Sequence, residues 1–198
     1  MLFTSVVASL LLLGCSAAYT ASSSDGTQYD RHFKEFGKLF IEKYDWRWLK
    51  AQGLQESLLK PDAVSHAGAQ GVMQIMPGTW RDETERLGII ASPFNARVNI
   101  LVGASYMRRM VRFWRAPRTE SERLELAHAS YNAGAGNILK AQGRCGGMMW
   151  SEISPCLYQV TGPRHSQETI IYVKRIKQWY IGLFNDDYKL KLKSYRLP

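Results

Sequence analysis

Glu56 is the residue whose surroundings point most directly to chemistry. Trp46, Leu49 and Gly53 keep helical spacing up to it, and a segment rich in glycine, serine, glutamine and methionine, "SHAGAQGVMQIMPGTW", follows it. Pro61 disfavours helical geometry at Lys60 and cannot donate the next backbone hydrogen bond, so the spacing predicts a helix ending between Leu58 and Lys60. Glu56 then lies in the last turn, at the negative end of the helix dipole, where the anion is disfavoured. Partial burial among aromatic and apolar neighbours acts in the same direction, leaving a carboxyl that holds its proton near neutral pH and can donate it as a general acid. By position alone a glutamate near a helix end is ordinarily an exposed charge. Asp62, Asp82 and Glu83 are the nearest other acids, and all three read as loop or helix-end charges. Glu56 therefore stands without a partner carboxylate.

Other chemistries find no support. The four histidines (His32, His66, His128, His165) are scattered, no HExxH or paired CxxC spacing occurs, and no glycine-rich phosphate loop with its lysine is present. Metal and nucleotide chemistry are not expected, and no cofactor is implied. The formal charge of +9 falls wholly outside the first eighteen residues and favours an acidic partner. Arg108, Arg112 and Arg115 recur at helical spacing, as a stripe facing nucleic acid, anionic lipid or an anionic polymer would, or as a solvated helix face.

The elements that must position Glu56 are helical. Phe33, Phe36, Phe40 and Tyr44 predict an amphipathic helix from Tyr29 to about Tyr44. Val98, Val102, Tyr106, Met110 and Phe113 predict a long core helix from Asn95 to about Trp114. "TESE", Thr119 to Glu122, has the capping-box pattern, and Leu124, Ala127, His128 and Tyr131 form the face that follows, up to the break at "NAGAG". Tyr172, Ile176, Trp179 or Tyr180, and Leu183 mark a last helix from about Ser166. "YKLKLK" near the C-terminus reads as a short strand or a solvated tail.

The chain of 198 residues divides into a leader (1–18), a polar tether (19–28), one compact domain (29–185) and a basic tail (186–198). The leader carries no charge, and its apolar run, Val6 to Leu13, is too short to span a bilayer but fits a secretory h-region. "LLGC" resembles a bacterial lipobox, which would make Cys15 the lipidated N-terminus. The leader lacks Lys or Arg before its apolar core, however, and "SAA" offers an ordinary cleavage site before Tyr19. Cys145 and Cys156 flank the loop-like "GGMMWSEISP"; in an oxidising compartment they would join, contributing about 3 kcal/mol, and otherwise they would be two unpaired buried thiols.

Three segments occur in order: "ESLLKPDAVSHAGAQGVMQIMPGTW" (Glu56 to Trp80), "ASYNAGAGN" (Ala129 to Asn137) and "ETIIYVKRI" (Glu168 to Ile176). Together they resemble the signatures of the lytic transglycosylases of the soluble, goose-type-lysozyme-like class. The resemblance implies a mainly α, lysozyme-like (α+β) fold, a single helical catalytic domain with a glycan-binding cleft. It also implies cleavage of the β-1,4 bond between N-acetylmuramic acid and N-acetylglucosamine in peptidoglycan, leaving 1,6-anhydromuramic ends. In such enzymes one glutamate protonates the leaving oxygen, the substrate's N-acetyl group stabilises the anomeric centre, and the glutamate then deprotonates the muramyl 6-hydroxyl, so a second carboxylate is not required. Carried onto this chain, Glu56 is the acid and then the base. Ser65 would hydrogen-bond near the N-acetyl group or the glutamate, while Gln74 and Met76 line sugar subsites. Tyr131 would place its hydroxyl near Glu56, with Asn132 in the adjoining turn and Glu168 facing the cleft from the start of the last helix. Gly68 and Gly71 permit the tight turns of the loop. The implied partner is the glycan strand, at the periplasmic wall, with or without a lipid anchor in the outer membrane, or within wall-spanning or phage machinery. A hydrolytic lysozyme on the same fold and a non-catalytic wall-binding component remain as alternatives; nucleic acid rests on net charge alone.

Overall fold

A computed structural model describes residues 26–185. Expectations for the leader, for Cys15, for most of the tether and for the basic tail with its "YKLKLK" lie outside the described residues. Eight α-helices follow one another: α1 (Asp30–Phe40), α2 (Arg47–Ser57), α3 (Pro77–Leu87), α4 (Ala96–Phe113), α5 (Glu120–Ala133), α6 (Ala135–Cys145), α7 (Trp150–Ile153) and α8 (Tyr158–Gly182), with a 3₁₀ turn at Ser154–Cys156. No strand forms among the described residues. The nearest approach to one is a pair of isolated bridges, Val64 with Gln70 and Gln70 with Ile75, inside the loop after α2. No described helix is long and apolar enough to cross a membrane.

Most of the spaced apolar positions face the core, although Phe113, at the end of the face expected for α4, is exposed. α2 packs along α8, α4 along α1 and α5, and α5 also along α8 and α6. The shared core includes Phe33, Phe36, Leu49, Leu54, Met73, Ile100, Met107, Leu126 and Ile138, all almost fully buried. Lys50, 1% exposed, is neutralised by Asp30 at 2.5 Å and ties α2 to α1. α4 is capped by Asn95, whose side chain accepts from the Val98 amide. α5 begins with the capping box read from "TESE": Thr119 Oγ1 accepts from the Glu122 amide, and the Glu122 carboxylate accepts from the Thr119 amide.

Several expectations shift. α1 ends at Phe40, short of Tyr44, because the chain turns back so tightly that a Cβ at Gly37 would lie 2.9 Å from Trp46 Cβ. α8 is two helical pieces joined at a kink where Gly162 adopts φ 79°; the long second piece starts at Pro163, whose fixed φ suits a first helical turn, close to the start expected near Ser166. Glu168 is thus inside that helix and does not begin it. The "NAGAG" break is a corner: Gly134, at φ 84°, lets α6 start at once after α5. The cysteine-flanked segment is mostly helical, not a loop, and Trp150 and Ile153 of α7 enter the core. Cys145 and Cys156 are joined as a disulfide with Cα atoms 5.8 Å apart, linking the end of α6 to the 3₁₀ turn. Glu83 is a clear correction: it lies within α3, fully buried, bonded by Arg86, by Arg109 at 2.5 Å and by Ser105 at 2.8 Å. Burial would raise its pKa, but Arg109, Arg86 and Ser105 together outweigh burial and lower it. Glu83 fastens α3 to α4 and is no loop charge.

Candidate active site

The C-terminus of α2 sets Glu56 in place. After Ser57 the helix is closed by two left-handed leucines, Leu58 (φ 54°) and Leu59 (φ 61°), whose amides return to carbonyls of Leu54 and Gly53. Non-glycine residues rarely hold this conformation, and here the burial of Leu59 (1% exposed) helps to fix it. The chain then loops from Lys60 to Met76 over the end of the helix. Ser57 Oγ donates to the Val72 carbonyl at 2.8 Å, which ties the loop back to the turn that carries Glu56.

Asn99 of α4 organises that loop. Fully buried, it accepts from the Met73 amide at 2.7 Å and donates to the carbonyls of Gln70 (3.1 Å) and Pro93 (2.9 Å). Met73 seats against Gly103, where a Cβ would lie 2.7 Å from the Met73 side chain; Gly71, at φ 78°, passes Asn99 so closely that a Cβ would meet it at 2.4 Å. Gln74, itself at φ 45°, donates its amide nitrogen to the carbonyls of Ala63 and Gly71. Ser65 Oγ accepts from the Ala69 amide at 3.0 Å. The polar residues of the loop thus serve its own geometry first: Gln74 retains its carbonyl oxygen, and Ser65 its hydroxyl proton, for a ligand.

The loop, α5 and α8 enclose a cleft of about 530 Å³, lined by Glu56, Ser65, Gln74, Met76, Tyr131, Asn132, Glu168, Tyr172 and Arg175 among others. All of the cleft residues expected from sequence meet here. Two further hollows, of about 240 Å³ beside Met76 and Tyr106 and about 330 Å³ beside His165 and Thr169, share Asn132 with the cleft and adjoin it. A hollow of similar size, about 510 Å³, lies at the other end of α5, where Arg108, Arg112 and Arg115 join Lys43 and Arg123. Volume therefore does not identify the site; the state of the carboxyl does.

Glu56 keeps some solvent contact at the floor of the cleft, yet its carboxyl is surrounded by protein, and that burial pushes its pKa up to about 8. Tyr172 opposes the shift by donating its hydroxyl to Glu56 Oε1 at 2.5 Å, and the Gln52 carboxamide opposes it less. At neutral pH the carboxyl is mostly protonated. The tyrosines are themselves held well above their ordinary pKa, chiefly by burial and then by Glu56. Tyr131 lines the cleft near Glu56 and feels its charge, but its hydroxyl donates to the Met73 carbonyl at 3.0 Å, pinning the loop to α5. Asn132 accepts from Thr169 Oγ1 at 2.7 Å and joins α5 to α8. Glu168, the only other carboxylate lining the cleft among the described residues, is 62% exposed and 3.6 Å from His165.

Tyr172 was legible only as a core position, and it is both core and ligand: 5% exposed, with its hydroxyl on the catalytic candidate. Its signal lay in "ETIIYVKRI", where Glu168, Tyr172 and Arg175 fall four and then three apart, on one helix face, and all three line the cleft. Gln52 and Asn99 carried no comparable signal, since neither lies in the three ordered segments or on the apolar spacings, yet both are fully buried.

The arrangement is similar to that of known proteins. The chain is 31% identical over 134 residues to membrane-bound lytic murein transglycosylase F of Pseudomonas putida strain F1, covering 66% of this chain and 26% of that protein. It is 29% identical over 177 residues to the protein of the same name from Aliivibrio fischeri, covering 81% and 35%. It thus spans about a quarter to a third of the length of these relatives. Among solved structures, the 70 kDa soluble lytic transglycosylase of Escherichia coli superposes with TM-score 0.62 at 26% identity, covering 80% of this chain and 24% of that one. A complex of the 70 kDa soluble enzyme with bulgecin A gives 0.65 at 26%, covering 81% and 25%. An inactive mutant of lytic transglycosylase Slt from Pseudomonas aeruginosa gives 0.64 at 25%, covering 84% and 25%. The Transglycosylase SLT domain profile matches residues 41–148, the stretch that holds Glu56, its loop, Tyr131 and Asn132. By that match and these likenesses of fold, the chain belongs to the transglycosylase SLT domain family.

Proposed function

We propose that this protein is a peptidoglycan lytic transglycosylase that cuts the glycosidic bond between N-acetylmuramic acid and N-acetylglucosamine and closes a 1,6-anhydro ring. The observation that carries the reading is a single buried carboxyl, raised to about 8, at the floor of a cleft and bonded by one tyrosine hydroxyl. Protonated at neutral pH, Glu56 gives its proton to the glycosidic oxygen as that bond breaks. The substrate's own N-acetyl oxygen shields the anomeric carbon. The carboxylate left behind accepts the hydrogen bond from Tyr172 and then takes the proton of the muramyl 6-hydroxyl, whose oxygen closes on the anomeric carbon. The proton count returns to its start and no water is consumed. Ser65, Gln74, Met76, Asn132 and Glu168 are the proposed glycan contacts, with Tyr131 holding the loop that presents them.

The relatives named membrane-bound support an enzyme working at the wall beside a membrane. We place it in the periplasm, with the leader cut before Cys15 so that Cys15 is the lipid-bearing N-terminus at the outer membrane and the polar segment through residue 28 is the tether. Incorporation of labelled fatty acid that disappears in Cys15→Ala is the expected result, and unlabelled wild type would refute the anchor.

The function is tested by mass spectrometry of muropeptides released from purified sacculi by the wild type and by Glu56→Gln. Products one water lighter than hydrolytic muropeptides, absent with the variant, are expected. Reducing ends would make the enzyme a lysozyme, and no products from a folded wild type would indicate a wall-binding role.

A further inference from the structure

Gln52 lies four residues before Glu56 on α2, on the same face and one turn away. It is fully buried, and neither Nε2 nor Oε1 completes a hydrogen bond of ordinary geometry, which is rare for a buried carboxamide in a folded protein. Its amide lies beside the Glu56 carboxyl and the Tyr172 hydroxyl, and it favours the ionised form of both. An apolar side chain would fill the same space without the cost of stripping water from an amide. Something other than packing selects a glutamine here.

We propose that Gln52 is a positioning residue that holds the Glu56 carboxyl in line through both of its protonation states. This rests on Glu56 being the proton carrier proposed above. A carboxamide suits the task because it has a donor and an acceptor but no charge. Toward the carboxylate it turns its N–H; toward the carboxylic acid it turns its carbonyl. Tyr172, by contrast, donates its proton to the carboxyl and is buried with a pKa well above its ordinary value, so it serves the carboxylate state. The other groups around Glu56 are Tyr131 on α5, which is committed to the Met73 carbonyl, and Glu168 and Arg175 across the cleft on α8. None of these lies on the helix that carries Glu56. Gln52 shares its backbone frame, as does Gln55, which lines the cleft from the same helix, so Gln52 and Glu56 move together if α2 shifts. The amide, buried beside the carboxyl without a hydrogen bond of ordinary geometry, is then the resting form of a partner used during the proton's departure and return.

The test uses Gln52→Met, which keeps length and burial but removes the amide, and Gln52→Glu, which keeps shape but adds a second acid. Each is assayed on purified sacculi across pH, beside its thermal melt and beside Glu56→Gln. Expected for Gln52→Met is a Tm no lower than wild type, a turnover reduced about tenfold or more with half-saturation little changed, and a basic limb moved to higher pH, because the group that favours the carboxylate is gone. Gln52→Glu is expected to move the limb further up, since two carboxyls share one site. A wild-type limb in both variants, or activity lost only in proportion to Tm, overturns the proposal. An inactive Glu56→Gln alongside those results leaves the reading of Glu56 standing; an active one overturns both.

Discussion

At the residue scale, the properties of Glu56 follow from where the chain places one carboxyl. Between its ordinary value of 4.5 and about 8, the unfolded chain releases a proton that the native protein keeps, so native stability falls as pH rises through that window. Glu56→Gln removes the liability. It is expected to abolish turnover yet leave stability unchanged near pH 4.5 and raise it by on the order of a few kcal/mol by pH 8, read from denaturant midpoints at a series of pH values. A constant difference across that range would show that burial does not hold the proton. Tyr172→Phe tests the opposite pull. Losing a hydrogen bond to a charged group is worth about 1.5–3 kcal/mol, so turnover is expected to fall by about 10- to 100-fold, with the basic limb moved up in pH.

At the scale of elements, the loop from Lys60 to Met76 has too little apolar surface to order itself and depends on neighbours. Asn99 satisfies two of its backbone groups, the Met73 amide and the Gln70 carbonyl, and also the Pro93 carbonyl before α4; Asn99→Leu leaves the Met73 amide and the Pro93 carbonyl without that partner, while Gln70 keeps the Ile75 amide. A loss of roughly 3 kcal/mol or more is expected, with activity falling beyond what unfolding explains, since the same loop lines the cleft. Retained stability in thermal melts would contradict the account. The disulfide acts elsewhere. Cys145 and Cys156 are 11 residues apart and lock α7 under the end of α6, so replacing both by serine is expected to cost about 2–3 kcal/mol while leaving glycan cleavage near wild type at low temperature.

At the scale of the molecule, buried groups of both kinds make the fold sensitive to acid. His128 is buried on α5 with its ring 6.0 Å from Trp48, and burial pushes its pKa down to about 3. Between 6.5 and about 3 the unfolded chain takes up a proton that the native one refuses, so stability falls as pH falls through that range. Glu83, whose pKa is lowered by Arg109 and Arg86 against burial, adds a second loss below 4.5. Unfolding midpoints are expected to drop steeply below pH 6.5, and His128→Gln is expected to flatten the upper part of that slope. Taken with the behaviour of Glu56, stability is expected to be greatest in the mildly acidic range, a maximum that circular dichroism melts across pH would locate.

The sequence by itself determined the helices whose apolar spacing and caps are local properties: the long helix after Asn95, the one opened by "TESE", and the end of the helix that carries Glu56. It also marked Glu56, Gln74, Tyr131 and Glu168 as members of one ordered pattern. The tertiary structure decided what no spacing contains. It set a second tyrosine beside Glu56: Tyr131 on α5 spends its hydroxyl on the Met73 carbonyl, while Tyr172 reaches the carboxyl across the α2–α8 contact. It turned Glu83 from an expected loop or helix-end charge into a buried tie, since two of its three partners come from another helix 22 and 26 residues away. It also gave Asn99 its role, because the Met73 amide and Gln70 carbonyl that it satisfies lie in a loop that meets α4 only when the chain is folded. Periodicity reports which face of an element is buried; which polar atom meets which depends on elements distant in the chain, and only their packing brings these together.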